Sequence, residues 1–210
     1  MRRLAPLTAL ALLTALGCEA DPVDHASEAG VDGSVDASPD SEVPEGCGDP
    51  SWSPGMCTEG VGRAIEPEGA QHVSEPEEIT WEADPPASGP HRPQWARWGE
   101  YSALGPDRWL HNLEHGGITF LYHPCAPEEI VDGLREIARG VPDDDTGPFR
   151  WILAPYPELP TAVMVLAWEW RYEAECVNAD EILDFIGRRY RQASEDVASD
   201  GRFEEGWIGR

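Results

Sequence analysis

Lysine is absent from this chain of 210 residues, so its basic residues besides histidine are all arginine, and none lies between Arg3 and Arg63. Set against 40 acidic residues, this leaves a formal net charge of −25 at pH 7. A surface of that sign repels phosphate backbones and anionic headgroups, which excludes nucleic acid as a partner. Long apolar runs are also scarce. The run from Leu4 to Gly17 is too short to span a bilayer, which argues against a membrane-spanning helix there. The chain has only five cysteines, and their spacing lacks the close pairs of a zinc-thiolate site.

What the N-terminus does contain is an address. Met1-Arg2-Arg3 and the apolar run form the charged and hydrophobic regions of a secretory signal. The run ends in Ala15-Leu16-Gly17-Cys18, which resembles a bacterial lipoprotein signal, although that pattern prefers Leu where this chain has Ala15. The resemblance implies lipid on Cys18, a membrane partner through that lipid, and a mature chain of charge −27 once Arg2 and Arg3 are removed from −25. Glu19 replaces the Asp that commonly retains lipoproteins at the inner membrane, implying the outer membrane or the cell surface. Ordinary cleavage near Ala15 or Gly17 is the alternative, and it would leave Cys18 as an odd thiol.

Residues 1–18 are thus the signal, and 19–46 an acidic tether with almost nothing large and apolar to offset its ordering entropy. As a coil, a tether of this length spans on the order of 30 Å. With Cys18 set aside, an even number of cysteines in an exported chain implies two disulfides with three possible pairings. We expect Cys47–Cys57, closing a Gly/Pro-rich loop over residues 47–61, and Cys125–Cys176.

Residues 62–195 carry the globular pattern, and 196–210 form a polar tail with Trp207 and Ile208 able to pack back. Ile79-Thr80-Trp81, Ile118 to Tyr122, Phe149 to Ala154 and Thr161 to Trp170 read as strands. Trp95 and Trp98 have the spacing of one helical face. One helix, with Asp107 able to cap it, reaches His115. A second opens at Pro127 and places Ile130, Leu134, Ile137 and Val141 on one stripe. A third starts at Asn178 with Glu181 three residues on, as in a capping box. Strands and helices do not alternate as parallel units, so the expected fold is α+β, a small, largely antiparallel sheet with helices packed on one side.

The chemistry centres on His111-Asn112-Leu113-Glu114-His115-Gly116-Gly117. On a helix Glu114 and His115 lie on the side of His111, where two imidazoles one turn apart can hold one metal ion and a carboxylate can take a proton from bound water. Gly116-Gly117 should stop that helix at once. Upstream, Asp84-Pro85-Pro86-Ala87-Ser88-Gly89-Pro90-His91 is stiffened by three prolines, which suits a loop that must place His91 accurately.

Pro85 to His91, His111 to Gly117, and Leu121-Tyr122-His123-Pro124-Cys125 resemble an uncharacterised bacterial domain family. Its members share a PPxSGPH loop and an HNLEHGG motif and are often tethered to membranes. The resemblance covers roughly residues 62–195 and extends to Ala167-Trp168 and the helix from Ile182 to Tyr190. It implies that His91, His111, Glu114 and His115 form the signature site. It implies no activity.

We therefore take His91, His111 and His115 as candidate ligands of one Cu(II) or Zn(II) ion and Glu114 as the candidate base. All-imidazole ligation suits either metal, and the Irving–Williams order favours copper. His123, facing the other side of its strand, is a weaker candidate. His111 to His115 also fits the H-x-x-E-H pattern of inverted zinc peptidases, with Glu169 or Glu173 as the distant ligand. The glycines after it interrupt the helix that such enzymes continue. Three readings follow: an envelope-anchored metal-binding lipoprotein, a metal-dependent hydrolase or oxidase using Glu114, and a metal-free envelope binding module that stacks ligands on its tryptophans.

Overall fold

Apolar residues on successive positions of the central strands require cover on both faces of the sheet, and that requirement shapes the molecule. In the computed structural model, which describes Cys47, Trp52 and residues 60–210, the chain runs β1 (Val61–Ala64), β2 (Gly99–Tyr101), α1 (Pro106–Glu114), β3 (Ile118–Tyr122), α2 (Glu128–Gly140), β4 (Trp151–Pro155), β5 (Val163–Ala167), β6 (Trp170–Ala174), α3 (Ala179–Arg189) and β7 (Trp207–Gly209). The signal, the tether, Cys18 and Cys57 lie outside the described residues. No described helix is long and apolar enough to cross a membrane.

The strands form one sheet in the order β1-β6-β5-β3-β4-β2-β7. The class is α+β as expected, but the sheet is mixed rather than largely antiparallel: β4 pairs in parallel with both β3 and β2. Both parallel pairs need crossovers, supplied by α2 between β3 and β4 and by the long α1-containing passage between β2 and β4.

The helices are also not confined to one side. Ile118 and Phe120 of β3, Trp151 and Leu153 of β4, and Val163 and Val165 of β5 join Leu134 of α2 and Ile182 of α3 in one apolar cluster. The intervening Leu121, Ile152, Met164 and Leu166 join Trp109, Leu110 and Leu113 of α1 in a second. The period of two along each strand thus divides the helices between the faces, with α1 opposite α2 and α3.

Other local expectations fail for identifiable reasons. Residues 79–81 form no strand; Trp81 instead donates its Nε1–H to the Pro90 carbonyl and props the proline loop. Residues 161–170 are not one strand, because the chain turns at Trp168-Glu169, with Glu169 at φ 63°, and returns as β6. Trp95 and Trp98 lie on irregular rather than helical backbone, Trp98 at a bend that leads into β2. Gly105, not Asp107, caps α1, and Asp107 pairs with Arg92. The disulfide joins Cys47 to Cys125, which replaces both expected pairings; Cys176 is disulfide-bonded as well. The final segment closes the sheet through β7, which pairs with β2.

Candidate metal centre

Three separate stretches converge at the C-terminal end of α1. The helix ends at Glu114 with His115 as its cap, and Gly116 takes the left-handed φ of 81° that a side chain would resist. Gly117 has a different reason to be glycine: a Cβ there would lie 2.5 Å from the Trp98 ring. Asn112 pins the neighbouring segment by accepting from the Ala96 N–H at 3.0 Å and donating to its carbonyl at 2.8 Å. Trp95 is thereby held against α1, its ring centroid 4.9 Å from that of His111 and 4.7 Å from that of His115.

The proline loop supplies the second stretch. Pro85 to Gly89 is buried, Gly89 sits at φ 123°, and the Ala87 carbonyl accepts from Glu169 N–H at 2.9 Å. The third stretch lies beside it. Gly89 N–H donates to the Gly69 carbonyl, His91 N–H to that of Gln71, and Val73 N–H to that of His91, which sets His72 next to His91.

His72, His91, His111 and Glu114 each offer one donor atom, all within 4.8 Å of one another, and this group can hold a metal ion. Their orientation is informative. The Gly89 carbonyl can only accept, so His91 Nδ1, 2.8 Å away, carries the proton. The Arg92 carbonyl imposes the same tautomer on His111, again at 2.8 Å. Burial pushes both imidazoles below their ordinary pKa, favouring neutral rings. A neutral His91 then turns its Nε2 lone pair towards Glu114 Oε2, 3.0 Å away. Two acceptors that close repel unless a cation, a proton or a metal ion, lies between them. A backbone carbonyl fixing the far nitrogen is also how metal-bound histidines are usually oriented.

Distances around Glu114 come close to that chemistry, and the widest one does not. Bonds of about 2.1 Å put neighbouring donors about 3.0–3.4 Å apart, in cis or tetrahedral arrangement. Glu114 Oε2 lies 3.0 Å from His91 Nε2 and 3.5 Å from His72 Nε2. The largest separation, 4.8 Å, exceeds even the about 4.2 Å between trans donors, so at least one side chain must move inwards on binding.

Of the residues singled out from the sequence, His91, His111 and Glu114 meet in this group, with Glu114 among the donors. His115 does not belong to it. Its ring lies against the far side of the cluster, 4.5 Å from His111, with Nε2 3.2 Å from Glu195 Oε2 and a buried Nδ1 without a hydrogen-bond partner. Burial first, then His111 and Arg150, holds its pKa down to about 4. His123 is elsewhere, packed on Trp52 and accepting from Cys125 N–H. Glu173 is paired with Arg63 and Arg171, and neither it nor Glu169 joins the group, so the peptidase pattern lacks its distant ligand. His72 went unnoticed in the sequence. Its one signal was membership of a small set, six histidines in the chain, since the bridge to His91 follows no short-range spacing.

These features define an α+β protein with a His/Glu cluster at a helix–loop junction, buried except for His72. The chain belongs to the family described as "Protein of unknown function (DUF3105)", whose model matches residues 72–202. No curated protein and no solved structure matches it.

Proposed function

We propose that this protein is an envelope-anchored lipoprotein carrying a single transition-metal ion, Cu(II) or Zn(II), for metal handling or sensing. The observation that carries the reading is the gathering of one donor atom each from His72, His91, His111 and Glu114 within 4.8 Å, with Nδ1 of His91 and of His111 held by backbone carbonyls so that their Nε2 atoms are free to bind. Ligands are His72, His91, His111 and Glu114. Nitrogen and oxygen donors without sulfur suit both metals, and the Irving–Williams order favours copper when both are available. Glu114 serves as a donor rather than as a base, because its Oε2 already faces two imidazoles. His115 supports the cluster from outside the ligand set. Lipid on Cys18 attaches the chain to the outer membrane or cell surface, and the acidic tether holds the domain away from the bilayer.

Elemental analysis of the full-length exported protein tests the metal. One equivalent of copper or zinc is expected, lost in His91→Ala and His111→Ala and retained in His115→Ala. Absence of stoichiometric metal, with a melting temperature unmoved by added Cu(II) or Zn(II), would overturn the reading. Mass spectrometry of the N-terminal peptide tests the lipid on Cys18.

A further inference from the structure

The four donors are not held alike. The side chains of His91 and Glu114 are 0% and 6% exposed, whereas that of His72 is 47% exposed. His91 and His111 each have Nδ1 anchored to a backbone carbonyl. The His72 ring has no such anchor among the described residues. It is located by stacking on His111 (centroids 4.6 Å, 20° between planes), an edge contact with His91, and the 3.5 Å approach to Glu114.

Its backbone is nevertheless firmly placed. Val73 N–H donates to the His91 carbonyl at 2.8 Å, and His91 N–H donates to the Gln71 carbonyl at 2.9 Å. His72 is therefore a ring on a fixed stem at the solvent edge of an otherwise enclosed cluster. Trp95 and Trp168 stand against the rings of His111 and His91 on other sides. The inward movement that ion binding requires falls most easily on the one ring without an anchor.

We propose that His72 is the exchangeable ligand of this site, and that its coordination position is where an external imidazole-type nitrogen donor binds the ion. The proposal rests on the metal reading above. A planar ring is the fitting incomer, because the His72 ring lies stacked on the His111 ring and a second flat ring can take that face. In the exchange the metal–nitrogen bond to His72 breaks as one to the incoming nitrogen forms, with no change in oxidation state. His91, His111 and Glu114 keep the ion throughout.

The test uses the full-length chain in detergent, loaded with Zn(II), and follows release to a chromogenic chelator. His72→Ala is expected to bind one equivalent and to release it about tenfold faster than the parent chain or more, since losing a direct ligand should cost at least the roughly tenfold in affinity that losing a group hydrogen-bonded to a ligand costs. Added imidazole should slow that release again, while having no such effect on the parent. His72→Gln should behave as His72→Ala does, and His91→Ala should bind no stoichiometric Zn(II). Loss of binding in His72→Ala equal to that in His91→Ala, an unchanged release rate, or indifference to imidazole would overturn the proposal. If the parent chain itself binds neither Zn(II) nor Cu(II), the metal reading fails, and this proposal with it.

Discussion

Arg150, 1% exposed, donates from Nη1 to the backbone carbonyl of His115 at 2.6 Å. From Nη2 it also reaches Asp196 at 2.5 Å, and its Nε donates to the Tyr190 hydroxyl at 3.2 Å. One buried cation thus ties the end of α1 to the segment that follows α3. That segment reinforces the junction itself, because Glu195 N–H donates to the Glu114 carbonyl at 3.1 Å.

Arg150→Met should accordingly do more than remove a charge. It removes the charged donor of the His115 carbonyl, which keeps only the longer bond from Val197 N–H at 3.4 Å, at a cost of about 1.5–3 kcal/mol. Urea unfolding with disulfides intact should show the loss as a lower midpoint with unchanged slope. Arg150→Lys, which keeps the charge but loses the planar fork, should recover only part of it.

Asn112 acts on the site at one remove. Asn112→Leu should break both hydrogen bonds to Ala96 and leave two buried backbone groups unpaired, costing about 2 kcal/mol or more. Trp95 should then loosen against His111 and His115. A change in tryptophan emission together with weakened metal binding is expected, whereas an exposed substitution such as Leu183→Gln should change neither.

Acid should weaken the metal-free protein through His115. Burial keeps this imidazole neutral in the folded chain down to about pH 4, while an unfolded chain takes the proton near the ordinary value of 6.5. The unfolded state therefore binds the extra proton as pH falls, and stability present above 6.5 is lost towards 4, by up to about 3 kcal/mol from this residue. Denaturation midpoints of chelator-treated protein at about pH 7 and about pH 4.5 measure the slope, which His115→Gln should flatten.

The Cys47–Cys125 bond closes a loop across a sequence separation of 78 residues. In the chain-entropy account a loop of that size contributes about 4 kcal/mol by restricting the unfolded state. Peptide mapping without reduction should recover Cys47 cross-linked to Cys125, and Cys125→Ser should lower the melting temperature. Recovery of a Cys125–Cys176 peptide would contradict the pairing.

Much of the fold was legible because it is local. β3 occupies the five residues Ile118–Tyr122 that the alternation marks out, and α3 starts from Asn178, whose side chain accepts from Glu181 N–H. The stripe of Ile130, Leu134 and Ile137 does face the core. Where the reading failed, distant partners decided. β2 and β7 are three residues each and exist because they pair with β4 and with each other. The parallel pairing of β3 with β4 depends on the passage of α2 between them, and strand patterns alone carry no sign of strand direction.

The site divides in the same way. The sequence alone determined that His111 and Glu114 share a helix end, that glycines terminate it, and that a stiffened loop delivers His91, because each follows from backbone geometry within a few residues. Only the tertiary structure decided that His72 completes the group and that His115 stands outside it. Membership depends on which imidazole nitrogens face a common point, and contacts between segments far apart in the chain set those directions.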